Sequence, residues 1–291
     1  MNLFNILEEI EKFDPELGDR LNPRRAAIKN ITSFGSKVAL AAAPFALGTM
    51  LKKAYGATTP PTVVEILNYA LTLEFLEGKF YANAVDKSGF IPASIHPYYQ
   101  TIADDEAKHI EFLIAVIKSL GATPVTSPTF DFSAGGGTGT GPLGNTLYND
   151  LGTFQKVAVA FEDTGVRAYK GQAANILANK SSVTPALYQT VLTAALSIHA
   201  VEARHASATR QLVGLTPWII STTAKGNDTG VALVDGNYDG EQNTVQGGVD
   251  VTTLKSASGS TTSVAIATAA FDEILTMDQV LKLLVGTFIV A

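Results

Sequence analysis

Cysteine is absent from the 291-residue chain. That excludes disulfides, thiolate metal ligands and iron–sulfur clusters, so any metal must be held by oxygen and nitrogen. The absence is compatible with an oxidising or peroxide-exposed compartment. Long apolar runs are missing as well. A hydrophobic fraction of 46% and a mean hydropathy of +0.18 are high for a soluble protein, yet no run reaches the ~18 apolar residues of a membrane span. Basic residues are scarce outside one stretch. Arg20 to Tyr55 carries seven Lys/Arg and no acid, whereas the chain after Gly56 has 13 basic against 21 acidic residues. An acidic body without basic clusters excludes nucleic acid as the expected partner.

What the chain does have is helical periodicity. Thr62 and Glu65 form a capping-box pattern, and VVEILNYALTLEFLEGKFYANAV continues to about Val85 with apolar residues three and four apart. A second helix is predicted over about Tyr98–Leu120, closed by Gly121. Residues 121–148 are rich in Thr, Gly and Pro, too long for a simple turn between packed helices. A third helix follows from about Asn149 to Asn179, with Asn149 or Asp150 as its cap, and a fourth from about Thr184 to Val213, opening on Pro185. Two helices, one long crossover and two more helices predict an all-α, antiparallel four-helix bundle over residues 61–214. Residues 215–291 are predicted as a Ser/Thr/Gly-rich surface loop region with short strand pieces. It ends in an apolar lid with a short helix from Thr276 or Asp278 to near Gly286.

Each helix of that bundle carries an acid among apolar neighbours. Glu106-x-x-His109 and Glu202-x-x-His205 place a carboxylate and an imidazole on one helix face. Glu74 and Glu162 lie on the other two helices. Buried carboxylates are costly unless paired or ligated. Four of them with two imidazoles match two divalent cations in charge, and the mixed oxygen and nitrogen set favours iron or manganese over magnesium or calcium. The six residues are thus candidate ligands and catalytic groups for a pair of Fe or Mn ions. Glu77 can replace Glu74 or add a ligand, while Glu65 reads as a cap. Asp104 and Asp105 read as an acidic, wet flank, with Asp105 able to pair with His109. His199 is an orienting group, an extra ligand or a packed histidine. Asp163 is a candidate acceptor for a ligand histidine's second nitrogen. Tyr69, Tyr81 and Tyr169 are hydrogen-bond donors, one-electron relays or simply packing; His96 gets no role.

Residues 1–60 form an extension. LFNILEEIEKF (3–13) has amphipathic spacing, followed by Arg24-Arg25, the apolar Val38–Leu51 and a small-residue exit near Ala54-Tyr55-Gly56. This resembles a twin-arginine export signal, with expected placement in the periplasm or cell envelope. Its late arginine pair and Pro44 within the apolar run equally suit a retained extension, packed on the body or peripherally on a membrane.

Taken together, the chain resembles the ferritin-like superfamily, and more narrowly the bacterial desiccation-related ferritin-like proteins. The narrower likeness rests on NYALTLEFLEGKFY (68–81), AFEDTGVRAYKG (160–171), HAVEARHA (199–206) and FDEILTMDQVL (271–281). The resemblance implies Glu74, Glu106, His109, Glu162, Glu202 and His205 as ligands. It also implies chemistry on oxygen or hydrogen peroxide, of ferroxidase, peroxidase or catalase type, in oxidative or desiccation stress protection. A rubredoxin-like module is excluded by the lack of cysteine, and cage assembly is not implied. Two rivals stay open: a non-catalytic envelope or surface scaffold, and an oxygenase with a pocket leading from the metals. A homo-oligomer would be unsurprising.

Overall fold

Each long helix starts where a side chain satisfies the backbone donors that a helix leaves unpaired. Helix α1 (Val63–Val85) opens on a reciprocal box: the Thr62 backbone N–H donates to Glu65 Oε2 at 2.8 Å, and the Glu65 N–H donates back to Thr62 Oγ1 at 3.3 Å. Helix α2 (His96–Ser119) begins two residues earlier than the sequence predicts. Pro97 sits in its first turn, where the missing N–H costs nothing. Gly121, at φ 71°, ends it in the left-handed conformation that glycine adopts without strain. Asp150 caps α3 (Leu151–Ala178), and Thr184 with Pro185 opens α4 (Pro185–Leu212). The computed structural model describes residues 61–221, 229–255, 257 and 259–290. The predicted N-terminal extension, with its twin arginine, lies outside the described residues.

The four helices form two hairpins, α1 with α2 and α3 with α4, packed face to face. The crossover joins them along the full bundle length of about 34 Å. Near its start the Val125 N–H donates to Asn68 Oδ1 at 2.8 Å, in the first turns of α1. Near its finish Lys87 Nζ donates to Asn149 Oδ1 at 2.7 Å, just past the far end of α1. At that far end the interior is filled by aromatic rings, with Phe80 at 4.8 Å from Phe154 and 4.9 Å from Phe161. No helix among the described residues is long and apolar enough to cross a membrane.

The C-terminal region contributes to this core. Phe288 packs edge-on against Phe161 at 5.0 Å, and Phe130 of the crossover bridges to Ile289. Among its described residues the region holds a small hairpin of β1 (Val245–Gln246) and β2 (Val249–Asp250), two 3-10 turns and two short α-helices. Helix α6 (Met277–Leu284) starts at Thr276 as expected. Helix α5 (Val264–Ala269) is not predicted from sequence: six residues are too few to show a period, and its only signal is the Ser263 cap. Two buried arginines clamp the tail to the bundle. Arg167 of α3 faces Glu241 at 3.0 Å and donates to the carbonyls of Glu273 and Asp239 at 3.0 and 2.8 Å. Arg210 of α4 binds Asp163 of α3 at 2.6 Å, and the Tyr238 hydroxyl donates to the same carboxylate at 2.6 Å.

Gly171 makes the close approach of tail to helix. A Cβ there would lie 1.9 Å from the Leu275 carbonyl oxygen, which is backbone and has little room to yield. Gly171→Ala is therefore expected to destabilise the protein by about 1–3 kcal/mol and to speed amide exchange over residues 272–290, read by hydrogen–deuterium exchange. Unchanged exchange in the tail would contradict the packing described.

Candidate metal centre

Glu74 on α1 and Glu162 on α3 face inward at mid-bundle because apolar neighbours on the same faces are buried around them. On α2 and α4 the i, i+3 spacing brings Glu106 with His109, and Glu202 with His205, onto the same interior level. The structure brings all six together. Glu74, Glu106, His109 and Glu202 form one group and Glu106, Glu162, Glu202 and His205 a second, the donor atoms of each group lying within 4.8 Å of one another. Glu106 and Glu202 belong to both. Glu106 faces His109 Nδ1 through Oε2 and His205 Nδ1 through Oε1, each at 3.1 Å. Glu74 closes one group at 3.1 Å from His109 Nδ1, and Glu162 the other at 3.3 Å from His205 Nδ1. The arrangement is two ligand sets joined by two shared carboxylates.

All four glutamates are fully buried. Glu202 Oε2 has no hydrogen-bond partner, while Glu106 Oε1, Glu162 Oε2 and Glu202 Oε1 meet only an imidazole nitrogen across ion pairs of 3.1, 3.3 and 3.5 Å that lack hydrogen-bond geometry. Buried polar atoms are almost always hydrogen-bonded, so this convergence of under-satisfied oxygens is one that a bound cation would complete. The hard carboxylate oxygens and one imidazole for each set fit a pair of iron or manganese ions.

Electrostatics describe the same need. Burial, then the Glu106 charge, pushes Glu74 up to about 8. Burial and the neighbouring carboxylates raise Glu202 and Glu77 well above the usual range. Burial also acts against ionised Glu106, but contacts from His109 and His205 outweigh it and hold that group down to about 2. The two imidazoles are opposed by burial yet raised by the glutamates, His109 to about 10 and His205 to about 11. Without a cation the cluster holds together by retaining protons.

Two tyrosines brace the site crosswise. Tyr81 of α1 donates to Glu162 Oε1 of α3 at 2.5 Å, and Tyr169 of α3 donates to Glu74 of α1. Each tyrosine follows its own helix's glutamate by seven residues, two turns, so the brace is legible as a repeated spacing. Tyr69, by contrast, has an unpartnered hydroxyl.

Other expectations divide. Asp163 does not serve a histidine: Arg210 and Tyr238 occupy it, a choice set by the tail and invisible in local sequence. Asp105 pairs not with His109 but with His205 of α4, accepting from Nε2 at 3.1 Å. That contact leaves Nδ1 facing the carboxylates. His199 packs with Nδ1 against the Val166 carbonyl at 3.1 Å, as an ordinary half-buried histidine. His96 lies 3.2 Å from the Val85 carbonyl, away from the centre. Glu77 is buried beside the cluster but belongs to neither ligand group. Sequence reasoning missed Gly165. A Cβ there would lie 2.4 Å from Glu202 Oε2 and 3.3 Å from Glu77 Oε1. It follows Glu162 by three residues, as Glu77 follows Glu74; one helix supplies an acid where the other makes room.

The model of the ferritin-like domain family matches residues 62–215, more than half the chain. The chain belongs to the ferritin-like domain family, and its four long helices and shared-carboxylate centre fall inside the matched span. A search of the curated proteins finds no match.

Two outcomes follow from the geometry. Raised carboxylates and imidazoles bind more protons folded than unfolded, so the metal-free protein loses stability as pH rises through that range, while depressed Glu106 opposes it only in strong acid. Chelator-treated protein should therefore melt at a lower temperature at about pH 9 than at about pH 5, and Fe(II) or Mn(II) should stabilise it more at the higher pH while releasing protons. A melting temperature that rises with pH in the metal-free form would count against this account. Separately, Asp105→Asn should weaken metal binding by about 10–100-fold, measured by competition with a chromophoric chelator, with the helix content unchanged by circular dichroism.

Proposed function

We propose that the protein is a dinuclear iron or manganese oxidoreductase that reacts with oxygen or hydrogen peroxide and protects against oxidative or desiccation stress. The observation that carries this reading is the pair of ligand groups sharing Glu106 and Glu202, with orphaned buried oxygens aimed between them. A single structural ion would not need two sets with a common pair of carboxylates. When bound, two such ions supply paired one-electron steps, so that oxygen or peroxide is reduced without release of a radical.

The chain's own groups give that chemistry its setting. Tyr81 and Tyr169 hold Glu162 and Glu74 by one oxygen each, leaving the other for the centre. Asp105 fixes the His205 ring through Nε2, so that Nδ1 presents its lone pair inward. Glu106 and Glu202, which no tyrosine holds, belong to both sets. The aromatic packing at the far end of α1 excludes water from one side, which strengthens every charge interaction at the centre.

The desiccation-related likeness, the twin-arginine segment and the placement in the periplasm or envelope belong to the same proposal. Its support is the sequence resemblance together with the metal-type cluster. The scaffold alternative is disfavoured by the cost of burying so many carboxylates in a bundle that needs none of them to pack. Metal analysis of purified protein, combined with oxygen- and peroxide-consumption assays, tests the reading. About two Fe or Mn per chain and turnover that falls by at least about 10²-fold in Glu106→Ala are expected; an absence of metal, or equal turnover in the variant, would overturn it.

A further inference from the structure

Two separate stretches of the C-terminal region, 237–241 and 272–275, meet α3 at one ion pair. Arg167 Nε faces Glu241 Oε1 at 3.0 Å and donates to the Glu273 carbonyl at 3.0 Å. Its Nη2 donates to the carbonyls of Asp239 and Ile274 at 2.8 and 3.3 Å, and its Nη1 to that of Asn237. Glu241 joins the two stretches directly, since the same Oε1 accepts from the Glu273 N–H at 3.1 Å. The Leu275 N–H, donating to the Arg167 carbonyl at 3.2 Å, fixes the second stretch to the helix backbone.

The other oxygen of Glu241 is held by nothing. The residue is 1% exposed, and Oε2 has no hydrogen-bond partner. When ionised, it is a buried charge satisfied on one side alone, which is costly. Its neighbours divide. Asp272 and Glu273 of the tail add negative charge, while Arg167 of α3 and Arg210 of α4 oppose it. Arg210 is occupied by Asp163 at 2.6 Å. Around Asp272 stand Lys170 and Asp163 of α3 and His199 of α4, with Lys170 Nζ at 3.6 Å from Oδ2. Arg167 is thus the one cation in contact with Glu241 among the described residues, and it also serves four carbonyls.

Burial pushes Glu241 up to about 7, with Asp272 adding to it against the pull of Arg167. Protonation removes the repulsion from Asp272 and Glu273 and leaves Oε1 able to accept from the Glu273 N–H. We propose that Glu241 is a pH-responsive latch: protonated, it holds the tail against α3, and ionised, it lets residues 272–276 lift from the helix. The sign follows from proton linkage. A carboxyl that keeps its proton more tightly docked than free stabilises the docked tail in acid, and that contribution is lost as pH rises through about 7. Glu241 touches none of the six candidate ligands, so the latch operates whether or not the centre holds metal.

Hydrogen–deuterium exchange of the full-length protein, metal-free and Mn(II)-treated, tests this after correction for intrinsic rates. Protection over residues 272–276 should fall by about 10–30-fold between about pH 5.5 and about pH 8.5, equally in both metal states. Glu241→Gln keeps an oxygen acceptor and removes the charge, so its protection should stay within about twofold across the same range. Asp272→Asn, the parallel variant should Glu241→Gln fail to fold, should move the midpoint to lower pH because one repelling charge is gone. Wild-type protection that stays level or rises with pH would overturn the proposal. So would a fall that Glu241→Gln reproduces in full, or a midpoint that Asp272→Asn leaves unmoved or raises. A fall confined to the metal-free protein would assign the titration to the carboxylate centre and equally remove the latch.

Discussion

Mutual repulsion among buried carboxylates is the constraint around which this protein is organised. Glu74, Glu77, Glu106, Glu162 and Glu202 share one interior level and are shielded from solvent. Isolated, each would cost several kcal/mol to ionise there. The surroundings answer the charge in layers: two imidazoles face it, two tyrosine hydroxyls donate into it, and Asp105 orients one imidazole from outside. Those layers leave Glu202 Oε2 without a partner and the neighbouring oxygens with ion pairs alone, a balance that bound cations would complete.

The same constraint explains why the helices need a strong external frame. A bundle with polar groups at its middle gains less from burial there, so packing must be concentrated elsewhere. The stacked rings around Phe80 and Phe154 supply it at one end. The tail supplies it along α3 and α4, where buried Arg167 meets Glu241 and tail carbonyls and buried Arg210 shares Asp163 with Tyr238. Gly165 and Gly171, six residues apart on α3, open that helix in two directions, one toward the carboxylates and one toward the tail backbone. A single helix therefore couples the centre to its cover.

The remaining interior is where the packing stays thin. Small residues on α4 and the partly exposed Phe112 on α2 leave a carbon-lined cleft next to the centre rather than a closed core.

By itself the sequence determined the helices and the level at which six polar side chains enter the core. Caps at Thr62 and Thr184, glycine at 121 and the spacing of Glu106 with His109 and Glu202 with His205 are local, and local geometry transmits them to the fold directly. The crossover was legible from its length. Tertiary structure alone decided which partners those side chains meet. Asp163 was expected beside a histidine and went to Arg210 and Tyr238, because the tail arrives on that face of α3. Asp105 met His205 from another helix rather than His109 on its own, and the role of Gly165 appears only once Glu202 and Glu77 stand opposite it. Helix α5 was too short to leave a period. Contacts within one helix repeat with its turn and can be counted along the chain; contacts between helices depend on crossing and register, which no local count contains.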